Sequence, residues 1–521
     1  MVFLLSNCTA FVVKINFSFF EHVPRSVLWV LGAILAINNS VLIWHSLDWP
    51  LMWDAPAYHY IAWLMSQGAV PYRDIFDQNL PLTYLIHLFV ITFIGTGSTA
   101  WRFTDLFCLT LIDGFIIAYM KKYGVLATVL AVCLFSAFHL LNGAFHTGER
   151  DYFIVVCIAA AFYFLAAALE CVYALHKLAL AGFFIGAGIM IKPHVGVLLL
   201  LLALTVALSA YKAGRAWLQP VFVFISGGLV VPAALIIWLA VTGGLLPFFD
   251  LFFNYLPAVY PHIGKTPLTK TILIHRVFGV PLVVVALAAA AASLAYFTTH
   301  KQIDMRRTLL TAGLAYGLLH HLGQRGAFLY HTYPLYFFIF LITASWIPLL
   351  QKLRGRKLYA LMLALLLYLS AVYAIKSAQR IISPHHYNID YVVQLMQDLK
   401  DFLAPGDTIQ TDYYHTGAAH ALFLLRYPQV TRFVFTFHFY YLIDNPFVKK
   451  LRREYLTVLQ KKRPTILVIS AQPATGGHSY ERIEQFPELN AWIHQQYYLA
   501  RERYEYRIYK LKNNGAISSV Q

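Results

Sequence analysis

For about 376 residues, long apolar runs alternate with short polar breaks. The runs fall at 27–45, 101–119, 123–142, 151–170, 177–192, 194–211, 217–242, 276–297, 307–323, 327–350 and 357–376. A helix needs roughly 20 apolar residues to cross a hydrocarbon core of about 30 Å, so this pattern predicts a polytopic α-helical membrane protein with about eleven spans. A further run at 82–97 is too short to span comfortably and is expected to dip into the membrane or lie along its surface.

From residue 377 the pattern changes. Turn signals such as Ala404-Pro405-Gly406-Asp407 separate short runs: 408–411, the β-branched 465–470 and the alternating 497–512 read as strands. Residues 416–426 and 444–462 read as helices, the second capped by Asp444 or Asn445 ahead of Pro446. Strand and helix alternate, which predicts a soluble α/β domain. The expected organisation is therefore a cytoplasmic segment at 1–26, a membrane module at 27–376 with an outer loop at 46–100, and an extracytoplasmic domain at 377–521.

Composition supports the membrane assignment. Of 521 residues, 59% are hydrophobic and only 12% charged, against about 25% charged in soluble domains. The net charge of +16 does not point to nucleic acid, because the basic residues sit in short loops between apolar runs. Lys121, Lys122, Lys177, Lys212, Arg215, Arg306, Arg307 and the group 352–357 fall in alternate loops, as the positive-inside rule expects if the N-terminus is cytoplasmic and 82–97 does not cross. That orientation puts residues 377–521 outside, in the manner of a bacterial inner-membrane protein. The first 20 residues are apolar but show no small-residue cleavage site, so no signal peptide is expected. No cysteine lies beyond Cys171, so the tail has no disulfide framework.

Four places could carry chemistry. In the first outer loop, Asp54 precedes Pro56 and an amphipathic run that ends at Gly68. It reads equally as a helix cap and as a general base at the membrane surface. Asp74 and Asp77 read first as loop-organising residues. The second place is His146-Thr-Gly-Glu149-Arg150-Asp151 at a span start; it is either a cap with a local Glu–Arg pair or a set of acidic groups at membrane depth. The third is Lys192 in Ile191-Lys192-Pro193, which either snorkels to the interface or presents a point charge to a phosphate. The fourth comprises His320, His321, Gln324, Arg325 and His331, suited to an anion or to an interfacial belt, with no acidic partner at zinc-site spacing. Asp54, Asp77, Glu149 and Asp151 could together hold a divalent cation, magnesium or manganese, or need none. Gly264-Lys265-Thr266 is not a phosphate loop, because Val259 stands where its opening glycine belongs.

Taken together, Trp53-Asp54, Tyr58, Gly68, Pro71-Tyr72-Arg73-Asp74-Ile-Phe-Asp77, Leu80-Pro81-Leu82-Thr83-Tyr84 and Trp101-Arg102 resemble the first outer loop of the GT-C superfamily of membrane glycosyltransferases. The likeness is to the branch of protein mannosyltransferases and the aminoarabinose transferase. Asp151 resembles that family's second acidic site, Lys192 its phosphate-binding lysine, and Tyr330-His331-Thr-Tyr-Pro334 the opening of a later span. The pattern departs at Ala55, where many members have Glu, and at Leu80, which replaces the first of two prolines.

The resemblance implies a sugar donor on a polyprenyl phosphate and transfer with inversion to an acceptor hydroxyl on a lipid, glycan or protein at the outer face. Asp54 would be the base. Lys192, with Arg325 or His331, would stabilise the departing phosphate, and Asp77, Glu149 and Asp151 would be candidates for the acceptor or a metal ion. A transporter or flippase of envelope glycolipids and a non-catalytic envelope scaffold are the competing readings. A transporter usually shows a repeat in its hydropathy, and none is visible.

Overall fold

The computed structural model describes residues 25–170, 174–262, 304–324, 328–350, 357–412, 417–474 and 477–512. The membrane module is built on α1 (Arg25–His45), α2 (Ala55–Ser66), α3 (Pro81–Phe93), α4 (Ser98–Met120), α5 (Val125–Asn142), α6 (Arg150–Glu170), α7 (Leu175–Ile191), α8 (Val195–Lys212), α9 (Leu218–Thr242), α10 (Leu245–Asp250), α11 (Met305–Gln324), α12 (Tyr333–Ala344) and α13 (Lys357–Ile382).

Among the described residues, seven helices are long and apolar enough to cross a membrane: α1, α4, α5, α6, α8, α9 and α13. This falls short of the eleven expected, for physical reasons. α7 is apolar but has only 17 residues. α11 has the length but carries Arg306, Arg307, His320 and His321. The run at 327–350 is not one helix: a 3-10 turn at Leu329–Thr332 precedes the 12 residues of α12, and a turn follows at Ser345 and Trp346. The expected span at 276–297 and the Gly264–Thr266 stretch lie outside the described residues. α3, in the ambiguous run, rises only about 20 Å. α13 continues to Ile382, so the composition change near 377 falls inside a helix.

Charge separates the two ends of the bundle. Glu170, at the end of α6, is held by Arg306 and Lys122 at 2.8 Å each, and Asp304 pairs with Arg307 at 3.1 Å. Asp151, one residue into the same helix, lies about 28 Å away along the axis. The basic loops and the acidic first loop are thus roughly a bilayer core apart.

α7 and α9 touch backbone to backbone through glycines. A Cβ on Gly182 would stand 2.0 Å from the Phe224 carbonyl oxygen, and one on Gly186 would stand 2.2 Å from that of Gly228. Small residues drive such contacts in lipid, where apolar burial gives no net gain. Because α7 delivers Lys192, Gly186→Leu should cost about 1–3 kcal/mol or more by overpacking. A lowered thermal midpoint of the detergent-solubilised protein, with reduced activity, would show it.

The C-terminal part comprises α14 (Asp390–Phe402), β1 (Ile409–Asp412), α15 (Gly417–Leu425), α16 (Pro446–Lys462), β2 (Ile466–Ser470), the short pair β3 (Gln472–Ala474) and β4 (Gly477–Ser479), α17 (Pro487–Gln496), β5 (Tyr497–Glu502) and β6 (Tyr506–Leu511). The main sheet runs β1-β2-β6-β5, with β1 and β2 parallel and the rest antiparallel. Asn445 caps α16 by accepting from Phe447 N–H at 2.8 Å. The apolar sequence Ile466-Leu467-Val468-Ile469 is buried because β2 is an interior strand.

This part docks on the first loop. Phe76 N–H donates to the Arg432 carbonyl at 2.7 Å, Arg432 Nη1 donates to the Tyr72 carbonyl at 2.9 Å, and Tyr60 OH donates to the Tyr427 carbonyl at 3.1 Å. The loop and the sheet therefore stand at the same end of the bundle.

Candidate functional site

A cavity of about 660 Å³ opens where the first loop, the ends of the spans and the C-terminal part meet. Asp54 and Arg150 line it, with Trp53, Tyr58, Gln78, Asn79, Gln324 and His331.

Asp54 stands at the start of α2, where Ala55-Pro56 opens the helix, and Gly68 with φ +95° closes it: Ala69 N–H donates to the Leu64 carbonyl at 3.1 Å. The Asp54 side chain makes no capping bond. Its carboxylate instead accepts from Tyr58 OH at 3.3 Å, one turn on, and faces the cavity. Of the two readings of Asp54, capping is the one this geometry does not support. Burial raises its pKa above the usual aspartate value; the positive charges of Arg150 and Lys192 and the Tyr58 bond only partly oppose this. Glu149, buried beside it, is raised well above the usual range, first by burial and then by the negative charge of Asp54. Two carboxylates within mutual electrostatic reach resist carrying two charges at once.

Lys192 leaves the end of α7 and is buried in an ion pair. Its Nζ stands 2.5 Å from Asp151 Oδ2 and 3.3 Å from His331 Nδ1. Asp151 also contacts His320 Nε2 at 2.6 Å and His331 Nδ1 at 3.3 Å. His331 lines the cavity, while Lys192 and Asp151 lie behind it. Gln324 and His194 extend the network, with Gln324 Nε2 and His194 Nδ1 3.2 Å apart.

Asp77 is buried and acts in the loop. Its Oδ1 accepts from Asn79 N–H at 2.9 Å, Asn79 Nδ2 at 2.6 Å and Tyr84 OH at 2.5 Å, while Oδ2 has no partner. Asp74 accepts from Val70 N–H at 2.9 Å and pairs with Arg73 at 2.7 Å. Both carboxylates bond to the first loop and the start of α3. Arg325 lies outside the described residues. Among the described residues, no three His, Cys, Asp or Glu side chains are grouped to hold a metal ion.

The sequence reading missed Arg150. Taken there only as a local partner of Glu149, it lines the cavity and is the largest opposing charge on Asp54. Its place at the start of α6, at the end of the bundle where the acidic groups gather, was the available signal. A second network also went unseen: Asp105 is held by Arg102 and by His139 Nε2 at 3.0 Å, and His139 Nδ1 stands 2.9 Å from Tyr333 OH. It fixes the start of α12 directly after His331. The aromatic wall from residues 387–441 had no local motif to reveal it.

This architecture has relatives. Over 96% of this chain and 100% of that one, the structure is similar to ArnT from Cupriavidus metallidurans bound to undecaprenyl phosphate, with a TM-score of 0.53 at 12% identity. This is the GT-C fold. Residues 77–240 match the family model of dolichyl-phosphate-mannose-protein mannosyltransferase. Archaeal oligosaccharyltransferase AglB from Archaeoglobus fulgidus, in complex with an inhibitory peptide and a dolichol-phosphate, is also similar, at 13% identity over 87% of this chain and 69% of that one, with a TM-score of 0.48. No curated protein matches the sequence. Within the GT-C fold, the family match takes in Asp77, Glu149, Asp151 and Lys192 but stops short of Asp54 on one side and the C-terminal wall on the other.

Proposed function

We propose that this protein is an integral membrane glycosyltransferase that moves a sugar from a polyprenyl phosphate to an acceptor hydroxyl, with inversion, in a cavity open to the outer face of a bacterial inner membrane. The observation that carries the reading is the meeting of Asp54 and Arg150 in one cavity, with Lys192 and His331 behind and beside them. The similar structure solved with undecaprenyl phosphate suggests the kind of donor.

The roles follow from charge. The Asp54 carboxylate takes the acceptor O–H proton, the acceptor oxygen bonds to the anomeric carbon, and the bond from that carbon to the phosphate oxygen breaks. The electron pair leaves on the phosphate, which gains a negative charge. Arg150 is the cation best placed to meet that charge, with His331 at its side and Arg325 a further candidate; stabilising charge as it develops is usually the largest catalytic term. Lys192 acts from behind, its own charge largely answered by Asp151, so its part is to hold His331 in place. Glu149 is the candidate for orienting the acceptor, Asp151 holds Lys192, His320 and His331 in place, and Asp77 shapes the loop. A divalent cation, should the enzyme use one, would find its carboxylates among Asp54, Asp77 and Glu149, since Asp151 is already engaged.

A base must be ionised to act. Because the Asp54 pKa is raised, transfer should fall on acidification with an apparent pKa above about 3.9, the usual aspartate value, and level off at higher pH. A profile of kcat/KM against pH checks this; a rate flat down to pH 4 would contradict it. The reading as a whole is tested by supplying a polyprenyl-phosphate-linked sugar to the purified protein in lipid nanodiscs. Release of polyprenyl phosphate is expected, and a protein that binds the lipid without ever releasing it would refute enzymatic transfer.

A further inference from the structure

The walls of the cavity differ in chemistry. Among its described lining residues, Asp54 and Arg150 are the only Asp, Glu, Lys or Arg side chains, and both belong to the membrane module. The wall contributed by the C-terminal part is largely aromatic, with Tyr391, Phe435, Phe437 and Tyr441, and carries no Asp, Glu, Lys or Arg; its titratable groups, the tyrosines aside, are His385, His386 and His420. Phe435 and Phe437 stand 5.7 Å apart between ring centroids. Trp53 completes this surface from the other side. Its backbone is held at φ +60°, a conformation a bulky residue adopts at a cost. Its indole stays 42% exposed while standing edge-on to Phe145 at 5.6 Å and Phe328 at 6.4 Å. An exposed ring kept in place by a strained backbone beside the candidate base is a surface kept for a ligand.

We propose that the acceptor is an uncharged saccharide terminus, held against these rings with its reactive hydroxyl toward Asp54. The proposal rests on the glycosyltransferase reading and names the acceptor class that reading leaves open. A pyranose presents a face of C–H groups and an edge of hydroxyls. Aromatic rings cover the first, and the neutral amides of Gln78 and Asn79, also in the lining, can bond the second. A phosphorylated acceptor would place a second anion beside Asp54 and compete with the donor phosphate for Arg150. An acidic peptide would do the same.

The test uses the full chain in nanodiscs with a radiolabelled polyprenyl-phosphate-linked hexose. The acceptors are uncharged oligosaccharides, the same oligosaccharides carrying a phosphomonoester, and serine- and threonine-containing peptides. Transfer should favour the uncharged set. Phe437→Ala and Tyr441→Ala should each raise the KM for the acceptor roughly three- to tenfold, the worth of one aromatic contact, and raise it more than the KM for the donor. Phe437→Tyr, which keeps the ring, should restore it and guards against simple misfolding. Preference for phosphorylated or peptide acceptors, equal rises in both KM values, or no transfer to any uncharged saccharide while the donor is still hydrolysed would each overturn the acceptor assignment. Absence of donor hydrolysis and transfer in the unmodified protein would instead count against the glycosyltransferase reading itself.

Discussion

Asp54→Asn should lower sugar transfer by about 10²–10⁴-fold, the usual contribution of a positioned general base, while leaving the protein folded. The substitution keeps the shape of the side chain and its contact with Tyr58 but removes the lone pair that takes the proton. It should not cost stability. The folded-state pKa of Asp54 is raised, chiefly by burial, so the folded protein binds this proton more readily than the unfolded chain does. Such a group disfavours folding as pH rises above its unfolded value, and the penalty is largest once it is ionised. The neutral amide escapes the penalty, so the thermal midpoint of Asp54→Asn at pH 7 should equal or exceed that of the parent. Activity lost together with stability would instead mark Asp54 as a structural residue. Full activity in a folded variant would remove the base from the mechanism.

Lys192→Met should be the most damaging single change to stability. Lys192 and Asp151 are both buried, 2.5 Å apart. Removing one partner of a buried pair typically costs about 3–5 kcal/mol, because the other is left as an uncompensated charge. The double variant Lys192→Met with Asp151→Asn should recover most of that loss, since neutralising both partners together leaves no orphan charge. Thermal midpoints of the two single variants and the double variant form a cycle that isolates the pair. Activity then decides what the pair is for. If the double variant is folded but inactive, the charges serve catalysis; if activity returns with stability, their work is architectural.

The candidate residues were easier to place along the chain than the contacts they make. Asp54 was visible from Pro56 and Gly68 on either side of an amphipathic run, and the helix lies where that punctuation puts it. Periodicity could not choose between a cap and a base, since both need an Asp before a helix. The carboxylate makes no capping bond and is directed toward Tyr58 and the cavity. Lys192 and Asp151 were each legible as costly charges near membrane depth, but not as partners, because they are 41 positions apart in the chain and each also had a reading by itself. His320 and His331 were grouped by proximity in sequence and read as suited to an anion or to an interfacial belt; their contacts with Asp151 join segments that sequence proximity does not. The strands of the C-terminal part were readable from β-branched runs and alternation. Their order was not, since β2 pairs with β1 on one side and with the distant β6 on the other.

Alone, the sequence determined the solvent: a chain so apolar and so poor in charge must satisfy its backbone within helices in a bilayer, and its basic loops set those helices at one end. It determined as well which rare polar groups had to earn their place there. Only the tertiary structure decided which of the described helices are long enough to cross, which charges cancel one another and which, like Arg150, stay turned toward a cavity. That division has one physical cause. Transfer from water to lipid is summed residue by residue and can be read along a line, whereas electrostatic pairing depends on distances of a few ångströms between segments that only folding brings together.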